Sequence, residues 1–122
     1  MEKRILVINN EKAMSWWLSN SSMGESVELI HELQGNVAYQ RIKEVRPNLL
    51  LINLETPGLV KSWVAIQLDG VDIAQQIPTI ATSNSLSKEE REVLSDLTGV
   101  KILSNQIPLS QLETIVEAAL LQ

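Results

Sequence analysis

Two unbroken apolar runs constrain this chain more than any other feature: Ile5 to Ile8 (ILVI) and Leu49 to Ile52 (LLLI). A strand with one wet face alternates apolar and polar residues. An unbroken run instead needs cover on both faces, which parallel sheets obtain from flanking helices. Shorter stretches follow at Ile77-Pro78-Thr79-Ile80-Ala81 and Lys101-Ile102-Leu103, while Val27 to His31 (VELIH) alternates partway along, as an edge strand would. The first and third strands are therefore expected at the centre of a sheet.

Helical signals fill the intervals. Asn36 is placed to cap a helix with Ala38, Ile42 and Val45 on one face, closed by Pro47. Ser87-Lys88-Glu89-Glu90 reads as a capping box opening a helix that runs through Leu94 and Leu97 to Gly99. Ser110-Gln111-Leu112-Glu113 reads as a second box, with Leu109, Leu112, Val116 and Ala119 in one stripe. Leu59 to Leu68, containing Trp63, reads as helix too, as does the segment behind the first strand. Five βα units in 122 residues predict one domain over 1–122, of class α/β. They suggest a flavodoxin-like doubly wound parallel sheet in the order 2-1-3-4-5, with five helices.

Composition narrows the function classes. Apolar residues make up 44%, which suits a packed core, and the absence of cysteine removes disulfides, thiolate metal sites and a cysteine nucleophile. Net charge is −5 with no run of Lys or Arg, so no basic patch is available for phosphate backbones and no direct nucleic-acid contact is expected. No apolar run is long enough to span a bilayer, and MEKRILVINN is too short and polar-ended for a signal peptide. A cytoplasmic protein without membrane contact is the expectation.

The ordered set of motifs resembles response-regulator receiver domains of two-component signalling. Gly35-Asn36-Val37-Ala38 through Arg46-Pro47-Asn48 resembles the family's second helix and the turn into its third strand. Leu49 to Asn53, followed by Leu54-Glu55-Thr56-Pro57-Gly58, resembles the phosphoacceptor strand and its Pro-Gly loop, and Ile77-Pro78 stands where the fourth strand should begin. The resemblance covers nearly all of 3–121 and implies where the phosphorylation pocket should lie. The acidic pair that ends the family's first strand corresponds to Asn9 and Asn10, and the aspartate that accepts the phosphoryl group to Asn53. The Thr or Ser of the fourth strand is kept as Ser83. The lysine of the fifth strand corresponds to Asn105, with Gln106 in place of the usual proline and Ile102 in place of the aromatic switch residue.

These replacements remove chemistry. Transfer of a phosphoryl group to a receiver requires a carboxylate nucleophile and a hard cation, and Mg²⁺ is usually held by one or two carboxylates. Asparagine offers neither charge nor nucleophile, and Asn105 removes the balancing cation. No aspartate precedes Asp69, so a small shift of alignment restores nothing. Three carboxylates about 5 Å apart repel by roughly 3 kcal/mol per pair at an effective dielectric near 20, so an all-asparagine pocket should be stable without metal. Among the nearest acids, Glu11 suits the start of the first predicted helix, and Glu55 reads as a solvated loop carboxylate or a weak cation ligand.

Outside the pocket, Trp16 and Trp17 are adjacent and about 100° apart on the first predicted helix. Ala13, Met14, Trp17, Leu18 and Ser21 share one arc, which turns Trp16 outward as a candidate contact for a partner. Trp63 reads as packing. His31, the one histidine, has no catalytic partner at an informative spacing, and Glu89 to Asp96 reads as a solvated face. The expectation is a pseudo-receiver that is not phosphorylated, is not an enzyme, needs no cofactor or metal, and acts through protein–protein contact. Its expected partner is a histidine kinase, a phosphotransfer or other signalling protein, or a second copy in a homodimer. A decoy of a kinase is the alternative, and a small-molecule or nucleotide binder is the alternative of another class. The latter lacks support from any Gly-rich phosphate loop.

Overall fold

The computed structural model describes residues 3–9, 27–59 and 77–121. Five parallel strands form one sheet in the order β2-β1-β3-β4-β5, with β1 at Lys3–Ile8, β2 at Val27–Glu32, β3 at Leu49–Asn53, β4 at Thr79–Ser83 and β5 at Lys101–Ser104. This is the expected doubly wound order, with β1 and β3 paired at the centre (Ile5 beside Leu49, Ile8 beside Ile52) and β2 at one edge. Three helices are described: α1 at Ala38–Val45, α2 at Lys88–Thr98 and α3 at Leu109–Leu120. The other two of the five expected helices, behind β1 and behind β3, lie outside the described residues. Trp16 and Trp63 lie outside them as well.

Side-chain alternation divides the core in two. Ile5, Val7, Leu49, Leu51 and Ile80 point to the face covered by α3, where they meet Leu112, Val116 and Leu120. Leu6, Ile8, Leu50, Ile52 and Ala81 point to the opposite face, against Ala38 and Ile42 of α1. Both faces of β1 and β3 are therefore buried, which is why neither run could contain a polar residue before its end.

Helix ends correct two expectations. The Ser87 box holds: Glu90 N–H donates to Ser87 Oγ (3.1 Å) and Ser87 N–H to Glu90 Oε1 (3.0 Å), while Gly99 ends α2 in the left-handed region at φ 74°. Asn36, however, does not cap α1. It lies in a 3₁₀ turn, Gly35–Val37, and Val37 precedes the helix without a side-chain bond. Ser110 likewise is not a cap, because α3 begins at Leu109 directly behind Pro108, again without a side-chain cap. The stripe of α3 shifts accordingly: Leu112, Val116 and Leu120 are buried, Ala119 is half-buried and Leu109 is exposed. Leu97 is 76% exposed, and α2 buries no residue fully.

Two adjacent cations at the start of β1 tie helices on opposite faces to the sheet. Lys3 Nζ donates to the carbonyl of Leu120 at the end of α3 (2.9 Å), and Arg4 Nη1 donates to the carbonyl of Val45 at the end of α1 (3.1 Å). Positive charge at a helix C-terminus meets the last free carbonyls and the negative end of the dipole. Arg4 N–H also bonds Asn48 Oδ1 (2.8 Å), fixing the turn into β3.

The loop after β3 is set by two glycines. Gly35 is buried with its N–H on the carbonyl of Pro57 (3.2 Å), and a Cβ there would run into the backbone of Pro57 and Leu59. Gly58 takes φ +81° against Asn36, a conformation that a side chain rarely adopts. The close approach of these two turns holds the segment 54–59 over the carboxyl end of the sheet. That end is the side on which open α/β sheets place their sites.

Candidate functional site

At the carboxyl end of the strands the chain gathers the polar residues that interrupt its apolar runs. Asn9 follows β1 and is 3% exposed, Asn53 ends β3 at 8%, and Ser83 ends β4 at 1%. Asn53 Oδ1 accepts the N–H of Glu55 (3.0 Å), the bond of an Asx turn. That bond fixes which way the amide faces, so Nδ2 must point the other way, where it donates to Asn9 Oδ1 (3.2 Å). Two of the asparagines anticipated as one pocket are therefore joined directly. The N–H of Asn105 donates to the carbonyl of Ser83 (3.0 Å), which brings that position alongside, although its side chain is exposed. Asn10 lies outside the described residues.

Of the two expectations held for Glu55, the solvated loop carboxylate gives way. Glu55 is half-buried, and its Oε1 accepts from Ser83 Oγ (2.8 Å), Ser85 Oγ (2.7 Å), and the N–H groups of Asn84 and Ser85 (3.2 Å each). Ser83 Oγ in turn accepts the N–H groups of Ser85 (3.2 Å) and Leu86 (3.3 Å), so the hydroxyl is turned to donate to the carboxylate. Partial burial by itself would raise the Glu55 pKa. The hydroxyls of Ser85 and Ser83 and the two amides outweigh it and hold the carboxyl below its ordinary value. Glu55 Oε2 and Thr56 Oγ1 are buried with no hydrogen-bond partner among the described residues.

These groups do not fit Mg²⁺. Asn9 Oδ1 is engaged by Asn53, Asn53 Oδ1 by the Glu55 amide, and the one carboxylate turns its bonded oxygen to hydrogen-bond donors. Mg²⁺ demands oxygen ligands in near-octahedral array and usually a carboxylate. No cluster of three or more His, Cys, Asp or Glu suited to a metal occurs among the described residues.

Two participants escaped the sequence reading. His31, on β2 beside Val7, places Nε2 2.9 Å from the carbonyl of Asn9; a carbonyl only accepts, so Nε2 carries the proton. The edge strand thus braces Asn9, the residue that follows β1. Ser85 is the other, and the signal for it was available: a Ser-Asn-Ser sequence starting at the last residue of β4, with an acid two positions beyond Asn53.

Neither protein-family models nor curated protein sequences give a match to this chain. Solved structures do. The signal receiver domain of a DNA-binding response regulator from Colwellia psychrerythraea 34H superposes with a TM-score of 0.80 at 15% identity, over 99% of this chain and 100% of its own. A response regulator from Desulfuromonas acetoxidans gives 0.77 at 19% identity, over 97% and 96%. The response regulator domain of CheB from Thermotoga maritima gives 0.72 at 15% identity, over 100% and 98%. With its strand order, its two-sided core and this likeness over nearly its whole length, the chain has the fold of response-regulator receiver domains.

Proposed function

We propose that this chain is a signalling interaction module of the two-component type, a pseudo-receiver that acts by protein–protein contact and is not switched by a phosphoryl group. The observation that carries the reading is the neutral, mutually bonded Asn9–Asn53 pair at the position where a receiver would hold its acids. An amide nitrogen already donating to a neighbour is no nucleophile, and no cation is drawn in to neutralise a transferring group. Catalysis by the chain itself is not part of this reading, and the protein works in the cytoplasm. Its partner is a histidine kinase, a phosphotransfer protein or another signalling protein, or a second copy of the chain.

Surface composition supports contact through the helices. Val93 and Leu97 on α2 are 56% and 76% exposed, beside Glu89, Glu92 and Asp96. On the segment outside the described residues, Trp16 is the side chain proposed to anchor a partner. Incubation with acetyl phosphate and Mg²⁺ followed by intact-mass measurement tests the central claim. No adduct is expected, and a stable gain of about 80 Da, one phosphoryl group, would overturn it.

A further inference from the structure

Four donors converge on a single oxygen of Glu55: two hydroxyls at 2.7 and 2.8 Å and two backbone N–H groups at 3.2 Å. A carboxylate divides about four lone-pair sites between its two oxygens, so this arrangement overfills Oε1. Oε2 meanwhile is buried with no hydrogen-bond partner among the described residues. A side chain serving only to tie two loops together would share donors between its oxygens. Successive amides and hydroxyls aimed at one point are instead the form of an anion-binding concavity. We propose that Ser83, Asn84 and Ser85 form an oxyanion cradle whose resident ligand is the chain's own Glu55 carboxylate, and which takes a small external oxyanion when that side chain is removed.

Three further observations support a site able to exchange its occupant. Asn84 and Ser85 are exposed, so the cradle opens to solvent. The buried polar side chains that share this end of the sheet, Asn9, Asn53 and Ser83, are neutral and would not repel an incoming anion. Glu55 stands on a turn, and its backbone position is fixed independently by the bond of its N–H to Asn53 Oδ1. Loss of the carboxylate should thus leave the walls standing. The ligand class is the oxyanion, carboxylate or phosphate, and the terminal oxygen is what the cradle grips. In the chain as it stands Glu55 fills the place and its charge excludes rivals. The inference rests on the reading above for its meaning in signalling, since a cradle filled from within holds the loop after β4 in its ligand-bound arrangement.

The test uses amide ¹H–¹⁵N spectra of the whole chain, titrated separately with acetate and with inorganic phosphate at constant ionic strength. In Glu55→Ala the resonances of Asn84, Ser85 and Leu86 should shift saturably, with half-saturation on the order of 10 mM. The unsubstituted chain should show no saturable change at these positions. A response of the variant to either anion supports the cradle; a folded variant that responds to neither, or an unsubstituted chain that responds equally, overturns it. Should Glu55→Ala fail to fold, Glu55→Gln keeps the size and deletes the charge. The amide protons of Asn84 and Ser85 should then move upfield as charge-assisted bonds become neutral ones, and unchanged protons would overturn the proposal. A phosphoryl adduct on the intact chain would sink the signalling reading and leave the cradle untouched, and a silent cradle would do the reverse.

Discussion

Asparagine and aspartate differ at one atom, and at position 53 that atom decides what the pocket can bond. The Glu55 N–H occupies Oδ1, and Nδ2 donates to Asn9. A carboxylate there would set oxygen against oxygen unless Asn9 turned its amide. A carboxylate stands two residues along, at Glu55, where hydroxyls and amides hold it below its ordinary pKa of 4.5. A carboxyl whose folded pKa is depressed stabilises the fold above its unfolded value, and that stabilisation is lost as pH falls through the folded value. Urea unfolding of the unsubstituted chain and of Glu55→Gln should therefore differ by a constant amount near neutrality, and the difference should shrink below pH 4.5. Glu90, lowered by the Ser87 amide and hydroxyl, titrates in both proteins and cancels. A difference that stays constant down to about pH 3 would contradict the role given to Glu55. The resemblance to receivers put Asn9, Asn53, Ser83 and Asn105 at strand ends, and each does end or directly follow a strand. The direction of Glu55 was not legible, because it depends on a loop 28 residues away in sequence folding back to meet it.

Two of the three described helices, α1 and α3, are held at their ends by the sheet more than by caps of their own. Neither α1 nor α3 has a side-chain N-cap, yet both have their last carbonyls bonded by cations of β1. Substitution of Lys3 or Arg4 by alanine should each cost about 0.3–1 kcal/mol, the usual worth of a cation at a helix C-terminus. Because their partners lie on opposite faces and are not shared, the double variant should add to within about 0.5 kcal/mol, measured from urea midpoints. The exposed Arg4–Glu28 pair (3.4 Å) should add little to the arginine's share. Marked non-additivity would mean that the two helices are coupled through the sheet. Here too lies the reason that Asn36 and Ser110 misled. Residues of the capping type favour turns as well as caps, and near Gly35 and Pro108 the backbone takes the turn.

At the scale of the whole molecule, the sheet order was readable because burial on both faces leaves a parallel strand no freedom to alternate. Ile5–Ile8 and Leu49–Ile52 could only be central, and the structure puts them there. What the pattern could not give was the degree to which α2 stands free, since its alternation of acids and leucines also suits a packed helix. A receiver-like sheet with an uncharged Asn9–Asn53 pair should be indifferent to divalent cations. A ligand that binds only the folded state raises stability in proportion to its saturation, so addition of about 10 mM Mg²⁺ should leave the melting temperature unchanged within about 1 °C. A clear rise would reveal a bound ion and contradict the bonding of Asn9 to Asn53. The contact between Glu55 and Ser83 has one more consequence. A carboxylate joined to its chain by carbon–carbon bonds cannot be hydrolysed off, so the occupant of this cradle has no chemical half-life. The influence of such a domain on its partners would then be metered by how many copies exist, and the clock that ends it would be turnover of the protein itself.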